Sequence, residues 1–315
     1  MEIRHYQPGD ETDQASVYNT AAGGLPGFKP ATPEEIARRF RSSDPDPATK
    51  WYAVEGGTVV GYVVCNPNGR MSYPWCLSTA REAREALMKT ALDEVADRGE
   101  TEVWAAYRHD WQELIRFFKE HGFHVAREMI NYIAPLESLP DEPVPEGRAI
   151  GPLARSDIPR ALELGRGLFR SDDPNRIEGL YLESAHFDPS CAYALKRTRD
   201  GETLGVALAI VSPRFSDPNK VDAAMPCFRL GSLGTEGERH LRVNGLFSCV
   251  FSSEETAVAL LGEAVRRFIK AGLTHAAAQA PSDRPDLCAF YDRFFQRQGS
   301  FPILVRSVTR PSYEK

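Results

Sequence analysis

The segment Arg116-Phe117-Phe118-Lys119-Glu120-His121-Gly122-Phe123 returns near the C-terminus as Arg293-Phe294-Phe295-Gln296-Arg297-Gln298-Gly299-Ser300-Phe301. Two further pairs recur in the same order. Ile3 and Asp10 are echoed by Ile150 and Asp157. Trp51-Tyr52-Ala53-Val54 with Gly57 to Gly61 is echoed by Ala192-Tyr193-Ala194-Leu195 with Gly201 to Gly205. An ordered set of echoes implies one structural unit present twice. The copies lie further apart at their ends than at their starts, which predicts an insertion in the second copy near 212–240. The run from Pro135 to Gly147 is rich in proline and acid and poor in apolar side chains, as a linker is. The expected division is a first domain at 1–136, a linker at 137–147 and a second domain at 148–315.

A chain of 315 residues is long enough for each copy to bury its own core. Hydrophobic residues make up 42% and charged ones 26%, and no apolar run reaches the length of a membrane helix, so a soluble globular chain is expected. Met1-Glu2-Ile3-Arg4 leads straight into a strand pattern without a basic, apolar leader, which predicts a cytoplasmic protein. The six cysteines are scattered without a C-x-x-C pair or a nearby histidine at ligand spacing, so neither a metal site nor a disulfide framework is expected. The net charge of -6 argues against nucleic acid as a partner, because phosphate backbones call for a basic face.

Local patterns fill in each copy. In the first, Glu2 to Tyr6 reads as a strand and Asp10 to Ala22 as a helix capped by Asp10. Thr32-Pro33-Glu34-Glu35 opens a second helix to Arg41, with Thr32 as cap. Trp51 to Val54 and Thr58 to Cys65 form a hairpin through Glu55-Gly56-Gly57, and Met71 to Leu77 is a strand. Ser78 and Thr79 are placed to cap a helix to Ala96. Glu102 to Tyr107 is then a strand, Trp111 to His121 a helix stopped by Gly122, and Phe123 to Ala134 the closing strands. The second copy repeats the order, ending in a helix from Pro285 to Gln298. Alternating helices and strands with central hairpins predict an α/β (mixed α+β) fold, each domain a largely antiparallel mixed sheet flanked by helices.

This order, with its aromatic pair, glycine and phenylalanine at Phe117 to Phe123 and Phe294 to Phe301, resembles the GNAT family of acyl-CoA N-acyltransferases. Two copies in one chain also resemble the tandem, mycothiol-synthase-like members. The resemblance implies acetyl-CoA or another acyl-CoA as co-substrate, no metal, and a small-molecule or peptide amine as acceptor. In the family, R/Q-x-x-G-x-G/A at a helix N-terminus holds the coenzyme diphosphate on free amides. Arg81-Glu82-Ala83-Arg84-Glu85-Ala86 keeps Arg81 and Ala86 and has Arg84 where the glycine belongs. Ser252-Ser253-Glu254-Glu255-Thr256-Ala257 keeps only Ala257.

The coenzyme-binding residues so implied are Arg81, Ala83, Arg84 and Ala86 with strand residues Trp75, Cys76 and Leu77, or Ser253, Thr256 and Ala257 with Cys249, Val250 and Phe251. Charge favours the first set, since Arg81 and Arg84 attract a diphosphate where Glu254 and Glu255 repel it. The family's tyrosine acid matches Phe118 and Phe295, which lack a hydroxyl. Tyr291, one turn before Phe295, is the candidate catalytic residue, although an aromatic on an apolar stripe is far more often core. Both altered loops and both phenylalanines leave open an alternative, an inactive tandem fold that binds a ligand or serves as a scaffold. Gly231 to Glu238, without a P-loop lysine, reads as a surface loop, and His109, His186, His240 and His275 lack partners at ligand spacing.

Overall fold

A computed structural model describes residues 1–28, 30–41, 47–66, 69–168, 173–183, 188–211 and 245–308. The expected insertion at 212–240, the Gly231 to Glu238 run, His186, His240 and Cys227 lie outside them. The chain divides into two compact units. The first holds Met1–Glu128 and the C-terminal stretch from Phe301, and the bulk of 129–300 forms the second.

In the first unit the order is β1 (Glu2–His5), α1 (Asp10–Ala22), α2 (Pro33–Arg41), β2 (Lys50–Glu55), β3 (Thr58–Val64), β4 (Trp75–Cys76), α3 (Arg81–Asp97), β5 (Glu102–Ala106) and α4 (Gln112–Glu120). Strands β1 to β4 are antiparallel neighbours. The expected hairpin turns at Gly56 (φ 57°) and Gly57 (φ 82°), a backbone shape that side chains resist. At α2, Thr32 Oγ1 accepts from Glu35 N at 3.2 Å, the cap its sequence predicts, and Glu35 Oε2 accepts in return from Thr32 N at 3.2 Å. Asp10 behaves otherwise. It is turned away from its helix, accepts from Gln7 N at 2.7 Å and takes both Arg4 donors at 2.8 Å, so it braces the turn before α1 and does not cap it. Asp157 repeats the device, accepting from Ala154 N at 2.8 Å and pairing with Lys196 at 2.8 Å. The echo of Asp10 and Asp157 is therefore a repeated loop brace.

The second unit runs β7 (Arg148–Pro152), α5 (Ile158–Leu164), α6 (Pro174–Leu182), β8 (Ala192–Arg197), β9 (Thr203–Val211), β10 (Gly245–Phe251), α7 (Glu254–Lys270), β11 (His275–Pro281) and α8 (Pro285–Phe294). Along its strands alternate residues go to opposite faces. Tyr193, Leu195, Ala207, Ala209, Phe247 and Cys249 pack with α7 and α8, whereas Ala192, Ala194, Val206, Leu208, Ile210, Leu246 and Val250 pack with α5 and α6. Burial on both faces explains the unbroken apolar run of β9.

The closing strands depart from expectation. β6 (His124–Pro135) leaves the first half of the sequence but pairs over Met129–Pro135 with β11 of the second unit. β12 (Gln296–Ser307) pairs over Ile303–Ser307 with β5 of the first. Each unit is thus completed by a strand from the other half of the chain, and the units divide at 128/129 and 300/301 instead of at the linker. The reason is burial. Leu304 and Val308 join the core of Trp51, Leu87 and Phe118, and Ile130, Tyr132 and Ala134 join that of Phe247 and Leu260. The proline-rich stretch is itself laid along α7. Glu142 O lies 3.1 Å from where a Cβ on Gly262 would stand, and Arg266 holds Asp141 at 2.8 Å.

The last helix also differs. It ends at Phe294, Phe295 is extended, and β12 begins at Gln296, whereas α4 runs to Glu120 and turns at Gly122 (φ 78°). The repeated aromatic segment adopts two conformations.

A Cβ on Gly205 would stand 2.7 Å from Thr256 Cγ2, 2.9 Å from Leu260 Cδ1 and 2.9 Å from Val250 O, so Gly205→Ala is expected to cost about 1–3 kcal/mol in urea unfolding. All four tryptophans lie in the first unit, so tryptophan fluorescence reports that unit. Leu304→Ala, far from them in sequence, is expected to lower stability by about 2–4 kcal/mol in that signal.

Candidate active site

In both units two parallel strands separate, and the space between them is where the expected site residues gather. In the second unit β10 and β11 pair only from Gly245 to Phe247 against Ala276 to Ala278, after which β10 follows β9 and β11 follows β6. In the first, the segment before β4 touches β5 through Arg70 and Trp104, and Met71 N donates to Trp104 O at 2.8 Å. By Tyr73 the strands have parted, and its N–H donates to the Tyr107 hydroxyl at 2.5 Å in place of a strand carbonyl. The expected strand from Met71 to Leu77 is regular only at Trp75–Cys76 for this reason.

Matching elements locate counterparts better than the sequence echo does. Helices α3 and α7 begin at Arg81 and Glu254, strands β5 and β11 at Glu102 and His275, and helices α4 and α8 at Gln112 and Pro285, with one common displacement. Phe118 is then level with Tyr291, Cys76 with Cys249, and Ala80 with Ser253. The Arg-Phe-Phe echo pairs Phe118 with Phe295, one helical turn away.

The two helix N-termini that face the separations are built differently. At α7, Ser253 Oγ accepts from Thr256 N at 3.3 Å, Glu255 pairs with Arg148 at 2.6 Å, and Glu254 pairs with Arg293. One first-turn amide is thus capped by the helix's own serine, and two acids complement its dipole. At α3 the capping position is Ala80, without a side-chain hydrogen bond, so Ser78 and Thr79 do not cap as their sequence suggests. Arg81 is exposed there, Ala83 fully buried and Ala86 half-buried. Arg84 lies over the rings of Tyr73 (5.2 Å) and Phe117 (6.0 Å) and 4.0 Å from Glu113, with its Nε buried and unpartnered. Glu85 takes His121 Nε2 at 2.8 Å, tying α3 to the end of α4.

The remaining expected residues are packed. Trp75 and Cys76 are buried, and Leu77 N donates to Val60 O at 2.9 Å. In the second unit Cys249, Val250, Thr256 and Ala257 are buried and Phe251 packs on Phe290. A depression of about 350 Å³ beside the α7 N-terminus is lined by Glu142, Glu254, Glu255, Val258, Arg293 and Phe294. Tyr291 is 1% exposed, its hydroxyl 4.0 Å from Cys249 Sγ, and burial holds its phenol well above the ordinary range. The tyrosine thus stands level with Phe118, and both rings are buried, each in the core of its own unit.

Sequence reading missed Tyr73 and Tyr107. Tyr107 stacks on Phe118 (5.7 Å, 23°) and Trp111 (6.0 Å, 25°). Its hydroxyl oxygen is occupied by the Tyr73 amide, which leaves the hydroxyl proton to be donated. Burial pushes the phenol up to about 12 while the Tyr73 N–H pulls it down. A tyrosine at the end of β5, where a strand was already expected, was the available signal.

Among the described residues no group of histidine, cysteine and carboxylate side chains is placed to hold a metal, and no helix is long and apolar enough to cross a membrane. His109 lies 3.8 Å from Glu128, and His275 contacts Thr274. Burial pushes the thiols of Cys65, Cys76 and Cys249 up to about 12. Native protein at pH 8 is expected to leave these three unlabelled by iodoacetamide and unfolded protein to expose them. Because the unfolded thiols ionise first, stability should fall as pH rises above 9, read from urea midpoints at pH 8 and 10.

Residues 15–123 match the model of the Acetyltransferase (GNAT) family. A search of curated proteins finds no significant match. Among solved structures, a GCN5-related N-acetyltransferase from Sphaerobacter thermophilus superposes with a TM-score of 0.67 at 16% identity, over 98% of this chain and 96% of that one. A tandem GNAT protein from the clavulanic acid biosynthesis pathway gives 0.55 at 14% identity over 99% of both chains. A GCN5-related glucosamine N-acetyltransferase region of a fungal multi-domain β-N-acetylglucosaminidase gives 0.65 at 12% identity, covering 97% of this chain and 38% of that one. The chain has the mixed α/β GNAT fold, and the match to the family model falls within its first half.

Proposed function

We propose that the protein is an acyl-CoA-dependent N-acyltransferase whose donor site lies in the first unit. The observation that carries this reading is the contrast between helix ends: α3 presents an uncapped N-terminus with Arg81 and Arg84, and α7 is closed by Ser253 and paired acids. An uncapped helix end with two arginines suits the diphosphate of acetyl-CoA or another acyl-CoA. The family match over 15–123 supports the same half. The separation between β4 and β5 would receive the pantetheine arm, with Trp75, Cys76 and Leu77 along one side. Ser253, Thr256, Ala257, Cys249, Val250 and Phe251 hold the second unit together. The likeness to mycothiol-synthase-type members concerns the duplication and not the acceptor.

The chemistry asked of the site is direct. The amine nitrogen of a bound acceptor attacks the thioester carbonyl carbon, an amide bond forms, the carbon–sulfur bond breaks, and the nitrogen loses a proton to solvent. Holding both reactants in one site supplies much of the rate. Tyr107, whose ring stacks on Phe118 at 5.7 Å, would give its proton to the departing sulfur in place of the hydroxyl that Phe118 lacks. Tyr291 is enclosed in the other core and serves packing.

Calorimetry with acetyl-CoA tests the donor site. Arg81→Ala and Arg84→Ala are expected to weaken binding about tenfold each, and Ser253→Ala to leave it unchanged. Absence of heat at millimolar acetyl-CoA, or sensitivity to Ser253→Ala alone, overturns the reading. Tyr107→Phe is expected to lower kcat about tenfold with acetyl-CoA affinity retained. Because Tyr107 stays protonated up to about pH 12, the wild-type rate should rise with amine deprotonation and show no fall below pH 10.

A further inference from the structure

An aromatic strip runs across the first unit beside the separated strands. Phe28 meets Tyr18 at 5.7 Å, Tyr18 meets Trp75 edge-on at 5.1 Å and 88°, Trp75 meets Trp111 edge-on at 6.4 Å and 86°, and Trp111 stacks on Tyr107. Trp75 is buried and forms the floor, while Phe28, Tyr18, Trp111 and Tyr107 are partly exposed. These rings come from four places in the sequence: α1, the loop after it, the start of β4 and the stretch from β5 into α4. The strip lies beyond the parallel contact of Arg70 with Trp104, on the side where the strands part, and open α/β sheets take their ligands at such openings.

Two polar atoms of the strip are already engaged. Trp111 Nε1 donates to Pro26 O at 2.9 Å, which fixes the loop carrying Phe28 against the start of α4, and the Tyr107 oxygen takes the Tyr73 amide. Of the nearby charges, Arg108 pairs with Asp110 at 2.6 Å, and Glu113 stands mostly in solvent, 4.0 Å from Arg84. What the strip offers a ligand is ring faces. A polyamine or aminosugar would ask for carboxylates or several hydrogen-bond acceptors, and a flat ring would ask only for the faces present.

We propose that this strip is the acceptor side of the site and that the acceptor is an amine carried on an aromatic ring, an arylalkylamine. The inference rests on the acyltransferase reading for its chemistry but not for its binding. The ring lies on Tyr18, Phe28 and Trp111 while the amine reaches the thioester beside Tyr107. The acidic character of the whole chain, which mildly suggests a cationic polyamine, is not repeated along this strip.

Two measurements on the full chain test it. Release of coenzyme A thiol from acetyl-CoA is followed with phenethylamine, tryptamine, hexylamine and spermidine. The aryl amines are expected to show kcat/KM about tenfold or more above hexylamine and spermidine, and Tyr18→Ala and Phe28→Ala to raise KM for phenethylamine about threefold to tenfold with kcat and acetyl-CoA affinity unchanged. Equal rates for all four amines, or a fall in acetyl-CoA affinity with the KM effect, overturn the proposal. Independently, phenethylamine is titrated into protein without acetyl-CoA and followed by tryptophan fluorescence. Saturable quenching that Tyr18→Ala weakens supports the strip even if acyl transfer fails. Absence of saturable quenching, with circular dichroism showing the variant and parent folded, sinks the strip while leaving the donor site standing.

Discussion

The hydrogen-bonded pairing of Ile303–Ser307 with Glu102–Ala106, matched by that of Met129–Pro135 with His275–Pro281, is the constraint on which both units depend. Strand β5 flanks the separation that receives the proposed donor, and its outer partner is the last strand of the chain. Leu304 completes the core under α3 and α4. The first unit, made first during synthesis, is thus finished last, when residues beyond 300 become available. A duplicated fold in which each copy kept its own closing strand would carry no such requirement.

Duplication also lets the two copies diverge at the same structural point. The open end of α3 and the closed end of α7 occupy equivalent positions, begin helices of equal length and sit beside equivalent strand separations. They differ in one capping residue and in the sign of the first-turn charges. Capping the Thr256 amide and placing acids in the first turn stabilises the second helix by ordinary local means and disfavours an anion there. The first helix forgoes that stabilisation, which is the usual condition of an end reserved for a ligand.

Much of the architecture could be read from the residues. The Thr32 and Glu35 cap, the Gly56-Gly57 hairpin, the apolar stripe of α3 and the tandem order act through neighbours in sequence, and the structure reproduces them. Strand partnership could not be read, because β6 and β12 carry the same alternation whichever sheet they join, and the choice is decided by distant cores. Asp10 and Asp157 resemble helix caps in sequence, yet Arg4 and Lys196 turn them toward the preceding loops. For the proposed site, Arg81, Arg84, Trp75 and Cys76 are the residues that the helix start and the family pattern point to. Tyr107 and the aromatic strip were not, since their rings are scattered in sequence and are brought together only by the parting of β4 and β5.

The stretch between Pro135 and Gly147 has the composition of a tether, and such segments are where proteases commonly enter. Glu142 instead lies against Gly262, Arg266 grips Asp141, and Val144 packs into the second core. A backbone held in this way cannot reach the extended form that a protease needs without first peeling from α7. The seam between the two halves of the sequence is therefore armoured, and a nick there would not release two independent pieces, because each half of the chain still holds a strand of the other's unit.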